Sequence, residues 1–446
     1  MTTYWCELAW LGDADGSVVA GVTITVEADR ITDVTIDAIA PHDAHVLPGL
    51  TLPGMANAHS HAFHRALRGR THGEAGSFWT WRDRMYDLAL RLDPEQYRDL
   101  ATATFAEMVM AGFTCVGEFH YLHHDRGGAR FARPNEMGEV LLEAAAAAGI
   151  RITLLDTCYL RAGMTDESQL NEAQLRFSDG DAEEWVARVE RMTENSDAKI
   201  GAAIHSVRSV DPGSMSVVAD WAAEHDKPLH AHVSEQPAEN EQCFAVHGCS
   251  PVELLARNGV LDDRFSAVHA THLNDVDVAL LHKARSTCCL CPTTERDLAD
   301  GIGPTAAFRD ARIAMTIGSD SHAVIDPFEE MRGIELDQRL ASLRRGTHQP
   351  GELLTAATEA GYRSLGWHDG GRIALGALAD LTTVSLTSTR LAGIDPRDAA
   401  AAVVFAGTSG DVHHVLVGGR AVVVDGVHAT INVADELARS IRDVWS

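Results

Sequence analysis

From Thr51 onward the chain repeats one pattern: a short apolar run rich in Val, Ile, Thr and Cys, then a longer segment whose apolar residues fall at helical spacing. Eight candidate strands follow, over residues 52–59, 114–121, 152–158, 200–207, 229–234, 266–271, 287–292 and 313–320. Between them, segments such as 96–111 and 136–148 carry Ala, Leu and Met at helical intervals with carboxylates in between, as outer helices do. Strands that alternate with helices predict a parallel sheet, and eight is the number that closes one into a barrel. The 446 residues exceed the ~250 a barrel needs, and the surplus sits at the ends. Residues 18–36 alternate as strands, as do 379–384 and 413–424, with Gly418-Gly419 as a turn signal. The expected fold is α/β: a distorted (β/α)8 TIM barrel over 51–374 with a small β-sandwich domain built from 1–50 and 375–430. A C-terminal helix is expected over 431–446.

A formal charge of −27 repels the phosphate backbone of nucleic acid and the anionic face of a membrane. The expected partner is a small molecule, and an anionic one needs arginines placed locally against the global field. No basic, apolar leader opens the chain and no run reaches the ~20 apolar residues of a membrane span, so a cytoplasmic protein is expected. The eight cysteines form no small-domain framework; Cys288, Cys289 and Cys291 lack the second pair a zinc site needs and read as a buried strand. A homodimer is expected from base rates.

Reactive residue types gather at the ends of the candidate strands, which in a barrel converge on one face. His59-Ser60-His61 ends the first, and alternation turns both imidazoles to the same side. His230-Ala231-His232 ends the fifth with Glu235 three residues on; His269 and His272 end the sixth; Asp320 ends the eighth. Three nitrogens and a carboxylate favour one Zn2+, with Fe2+ or Mn2+ open. Such an ion lowers the pKa of bound water from 15.7 to roughly 7, which makes a nucleophile at neutral pH.

In these residues the chain resembles the amidohydrolase superfamily, and the resemblance covers nearly its whole length. It implies His59, His61, His232 and Asp320 as metal ligands, His269 beside the activated water and Glu235 as proton shuttle, with Asp320 sharing the catalytic proton transfer. His272 is left a structural hydrogen bond. Binuclear members carry a bridging lysine after strand four, where this chain has Ala202-Ala203-Ile204-His205; Lys199 comes too early, so one metal is expected.

His-x-x-Glu after strand five resembles the deaminases. The set His59-Ser60-His61-Ala62-Phe63, Phe78-Trp79-Thr80-Trp81-Arg82, Glu118-Phe119-His120-Tyr121, His205-Ser206-Val207-Arg208 and Val268-His269-Ala270-Thr271-His272 is similar to the formimidoylglutamate deiminases. These convert N-formimino-L-glutamate to N-formyl-L-glutamate and ammonia in histidine degradation. The family pattern implies substrate contacts by Arg82, Tyr121, His205 and Arg208. Arg82 and Arg208, expected in loops after strands one and four, suit a small dianionic substrate because each guanidinium can pair bidentately with a carboxylate. Trp79 and Trp81 read as loop packing. One departure is His64, which stands where close relatives have a substrate-binding glutamine. It can donate one hydrogen bond but not an amide's paired pattern. The run His120, Tyr121, His123, His124 resembles a second metal site but also occurs in single-metal members. The alternatives are a deaminase of a guanine-like or adenosine-like base, or an amide or N-formyl hydrolase of the same superfamily.

Overall fold

Two eight-stranded sheets organise the chain in the computed structural model, which describes residues 1–71, 78–165 and 169–446. The first four strands are β1 Thr2–Trp10, β2 Val18–Glu27, β3 Arg30–Thr35 and β4 His45–Pro53. The barrel follows with β5 Met55–Ser60, β6 Phe113–His120, β7 Arg151–Cys158, β8 Ala198–Ser206, β9 Leu229–Val233, β10 Phe265–His269, β11 Thr287–Leu290 and β12 Ala314–Ile317. Last come β13 Leu381–Val384, β14 Val412–Val417, β15 Arg420–Val424 and β16 Val427–His428.

β5 to β12 pair in sequence order, all parallel. Every residue of β6 and β7 is buried, as expected when helices cover the outside and side chains fill the inside. The helices follow their local signals. Pro94–Met110 starts on a reciprocal Asp93–Gln96 capping box, and Glu136–Ala148, which holds the alanine run, ends on left-handed Gly149.

The barrel closes where β12 runs out. Ser60 and Asp320 form a parallel bridge, in which the Asp320 amide donates to the His59 carbonyl at 3.0 Å and the His61 amide to the Asp320 carbonyl at 3.3 Å. Gly318 permits this approach, since a Cβ there would lie 2.7 Å from the Cβ of His59.

The end strands, expected as a sandwich, hydrogen-bond into a single sheet of order β16-β15-β14-β13-β4-β1-β2-β3. The reason is β4, which lies between β1 and β13 and pairs with both. This sheet has a small core of its own around Tyr4, Val22, Ile24, Leu47 and Leu416. The first barrel strand begins at Met55 rather than at 52, because Leu52 pairs with Thr382 in the end sheet. Gly54 separates the two; a Cβ there would meet Thr114 Oγ1 at 2.2 Å. Buried Arg151 joins the two sheets, its Nε donating to Asp380 Oδ2 at 2.8 Å. A final helix, Val433–Trp445, anchors Trp445 Nε1 on the Ala66 carbonyl at 3.0 Å.

Candidate active site

The strand ends bring His59, His61, His232 and Asp320 together, with one donor atom from each lying within 4.8 Å of the others. His59 closes on Asp320 Oδ1 at 3.3 Å, His61 on the same oxygen at 3.4 Å, and His59 Nε2 on His232 Nε2 at 3.2 Å. The pattern follows from local backbone. His59 and His61 flank the bridging Ser60, while Asp320 turns inward through a left-handed φ of 42°, a strained conformation of the kind that collects at functional sites.

Hydrogen bonding at the far side of two rings settles their orientation. His61 Nδ1 lies 2.9 Å from the Phe119 carbonyl and His232 Nδ1 2.8 Å from the His205 carbonyl, and each must donate there. Both Nε2 atoms therefore present lone pairs to the cluster. Burial pushes the imidazoles down, His61 to about 3, so they stay neutral, while the carboxyl of Asp320 is held below the ordinary range against its burial by His59, His269 and His61. With the lone pairs of His61 and His232 turned to the carboxylate of Asp320 beside His59, the four groups form a cation cage. The separations fit, since ligand atoms ~2.0–2.1 Å from a tetrahedral ion stand about 3.3 Å apart.

His269 forms the next layer. Its Nε2 is 3.7 Å from Glu235 and 3.8 Å from Asp320 Oδ2, and its Nδ1 is 3.5 Å from Glu295. Burial disfavours the imidazolium, but the surrounding carboxylates of Glu235, Glu295 and Asp320 outweigh it and raise its pKa well above the usual value. Burial also raises Glu235, opposed by His269 and Arg208. Left-handed φ values at Ser234, His269 and Ala270 bend the chain where these groups leave their strands.

A cavity of about 220 Å³ opens on this cluster. His64, Arg82, Tyr121, His205 and Arg208, the five expected substrate contacts, all line it. His64 sits in a turn of 3-10 helix, its Nε2 2.8 Å from the Tyr121 hydroxyl, and its Nδ1 has no hydrogen-bond partner among the described residues. His205 faces Ser206 and Ser209 through Nδ1. Arg208 lies in the turn after β8, 3.1 Å from Glu239 and 3.5 Å from Glu235. Arg82 departs from expectation: it lies on the helix Phe78–Arg91, not in a loop. Trp79 and Trp81 share that helix and line the cavity instead of packing a loop. The helix stacks the Arg82 guanidinium over Trp79 at 4.5 Å and Tyr86 at 5.4 Å.

Other residues fall outside. His272 Nε2 bonds the Asp300 carbonyl at 2.7 Å. Lys199 lies near the start of β8, its amine on the Gly366 carbonyl. All eight cysteines are free and buried. Sequence reasoning passed over Glu295 and Glu239, which flank His269 and Arg208, and over Tyr86 and Tyr159 in the cavity wall. Glu295 had a usable signal, since Cys291-Pro292-Thr293-Thr294-Glu295 follows the seventh barrel strand. Tyr159 directly follows β7, while Glu239 and Tyr86 reach the site from the helices Pro237–His247 and Phe78–Arg91.

The amidohydrolase family model matches residues 50–422. The chain is 38% identical over 422 residues to formimidoylglutamate deiminase of Pseudomonas aeruginosa, covering 92% of each. It is 28% identical to 5-methylthioadenosine/S-adenosylhomocysteine deaminase of Natronomonas pharaonis, over 93% of this chain and 88% of that one. Among solved structures, an amidohydrolase from Brucella melitensis superposes with a TM-score of 0.92 at 32% identity over the full length of both. Among the described residues no helix is long and apolar enough to cross a membrane. A closed parallel barrel, a histidine–aspartate cage at its strand ends and a family match over most of the sequence lead to one conclusion: the chain belongs to the amidohydrolase family and is a hydrolase of C–N bonds.

Proposed function

We propose that the chain is a zinc-dependent deiminase that hydrolyses N-formimino-L-glutamate to N-formyl-L-glutamate and ammonia, a step of histidine degradation. The observation that carries this reading is the pair of guanidinium groups, Arg82 and Arg208, in the cavity that opens on the cage, within a chain of net charge −27. Two cations facing one cavity match a substrate with two carboxylates. The 38% identity to a formimidoylglutamate deiminase supports the same choice.

In this reading His59, His61, His232 and Asp320 hold one zinc ion, which when bound acts as a Lewis acid and makes water a nucleophile at neutral pH. Arg82 and Arg208 take the substrate carboxylates, with the His64–Tyr121 pair and His205 lining the approach to the formimino group. Water adds across the C=N bond. Asp320 Oδ2 receives its proton while His269 steadies the attacking oxygen, and Glu235, whose carboxyl burial raises, carries protons on to the nitrogen. A C–O bond forms, the C–N bond breaks and ammonia leaves. Preorganised charge around the tetrahedral carbon favours it over the planar substrate.

Aromatic walls favour a second reading, deamination of an adenosine-like base, as in the 28% identical relative. Against it, the faces of Trp79 and Tyr86 are already taken by Arg82. Ammonia release by zinc-loaded protein should be compared on N-formimino-L-glutamate, guanine, adenosine and N-formyl-L-glutamate. Turnover of the first alone is expected; turnover of a nucleobase alone overturns the two-arginine argument.

A further inference from the structure

We propose that Arg176 and Arg126 are positioning residues for substrate recognition. From two neighbouring barrel loops they cap the C-terminal end of the helix Phe78–Arg91 and so fix where Arg82 stands. The inference rests on the reading that Arg82 receives one of the substrate's carboxylates.

A helix ends with carbonyls that its own backbone cannot satisfy. Here arginine side chains from elsewhere in the chain take them. Arg176 donates through Nη1 to the Ala89 carbonyl and through Nη2 to that of Leu92 at 2.9 Å. Arg126 donates through Nε to Leu90 at 3.1 Å and through Nη2 to Arg91 at 3.2 Å. Four consecutive carbonyls at the negative end of the helix dipole are thus bound by two cations.

Among the described residues the Arg176 guanidinium is held by backbone carbonyls. It is fully buried, and among the described residues no carboxylate lies within ion-pair distance of it, so burial lowers its pKa to about 10. A buried guanidinium without a counter-ion is costly and persists only where dipoles satisfy it. Its Nε also donates to the His124 carbonyl at 2.9 Å, while its own carbonyl accepts the amides of His123 and His124. One residue therefore ties the recognition helix to the loop after β6, which starts with Tyr121. Two residues earlier, Gln174 donates to the Tyr159 hydroxyl at 2.7 Å and to that of Tyr86 at 3.3 Å, so the same segment braces the helix a second time.

The helix supplies a whole wall of the cavity: Trp79, Trp81, Arg82, Met85 and Tyr86. Arg82 lies two turns before Ala89, about 10 Å along the axis, so a tilt at the capped end is carried to the guanidinium. Misplacing a contact by ~1 Å can cost about 100-fold. The anchor acts on substrate position and not on the cage, which stands on β5, β9 and the segment after β12.

The test uses full-length, zinc-loaded Arg176→Lys and the milder Arg126→Ala, which alters an exposed residue and keeps the buried guanidinium. Amide hydrogen exchange over residues 78–92 reports the anchor without any substrate, and steady-state kinetics with N-formimino-L-glutamate report its consequence. Arg176→Lys is expected to speed exchange in this segment and raise KM about tenfold, with kcat within about twofold and zinc content unchanged. Arg126→Ala is expected to do the same at about threefold in KM, with no shift in Tm. Unaltered exchange in Arg126→Ala, or a fall in kcat at constant KM, overturns the proposal. Failure of the wild type to turn over N-formimino-L-glutamate sinks the proposed substrate, and the exchange data then decide the anchor alone.

Discussion

Two buried histidine–carboxylate clusters stand at the strand ends of this barrel, and they are built on opposite principles. In one, His59, His61 and His232 surround Asp320, and among the described residues the only basic side chains within ion-pair distance of that carboxylate are histidines. In the other, His120 and His123 approach Asp156, and His124 reaches Asp179 at 3.0 Å. There Arg188 forks onto both carboxylates, at 2.7 and 2.8 Å to Asp156 and 2.8 and 2.9 Å to Asp179. Trp185 Nε1 donates a further bond to Asp156. His123 is turned through Nε2 to the Thr157 carbonyl. Residue type and burial are alike in the two clusters. What differs is whether the protein supplies its own cation: where it does, the cluster is a structural girder, and where it does not, the cage is left for an ion.

This contrast can be broken most severely at Asp320. Asp320→Asn should lose more than ~1,000-fold in kcat together with the bound metal, read by elemental analysis, whereas Asp156→Asn should keep one equivalent of zinc. Zinc retained in Asp320→Asn would mean that charge balance does not define the cage. Glu235→Gln should separate proton transfer from metal binding, with kcat down about 100-fold to 1,000-fold at full metal content. A parallel loss of zinc would move Glu235 into the ligand set.

At the second cluster, Arg188→Ala should cost roughly 3–5 kcal/mol in chemical denaturation, since it leaves two buried carboxylates uncompensated. If charge is what distinguishes the clusters, added zinc should recover part of that loss; a loss that zinc leaves untouched would put geometry ahead of charge. The smallest effect is acid dependence. Burial acts to raise the Asp156 carboxyl, but Arg188 and His123 outweigh it and bring it down to about 2. A depressed carboxylate stabilises the fold above its unfolded value near 4, and this contribution fades as pH falls from about 4 to about 2. The stability difference between wild type and Asp156→Asn should therefore shrink by about 2 kcal/mol across that window. A difference that stays flat would show that Arg188 does not hold the charge of Asp156.

Much of this was legible in the residues. The eight barrel strands were, because βα alternation writes itself as a change of hydrophobic period. The cage was legible too, since each of its members ends a strand and a barrel gathers strand ends on one face. Less visible was the handover from β4 to β5 at Gly54, where one apolar stretch serves two sheets in turn. The helix under Arg82 was missed because Phe78-Trp79-Thr80-Trp81-Arg82 is β-prone by composition, and its helicity is supported from outside by Arg126 and Arg176.

The sequence by itself determined the parallel barrel, the gathering of His59, His61, His232 and Asp320, and the presence of arginines in a strongly acidic chain. These depend on period and order along the chain, which short-range chemistry sets. Only the tertiary structure decided which buried histidine cluster is balanced by Arg188 and which is open, which carboxylates flank His269, and what holds the end of the helix that carries Arg82. Each of those turns on a side chain from a distant loop meeting a buried charge or carbonyl, and the energy of such a meeting depends on its distance and desolvation, neither of which spacing along a chain encodes.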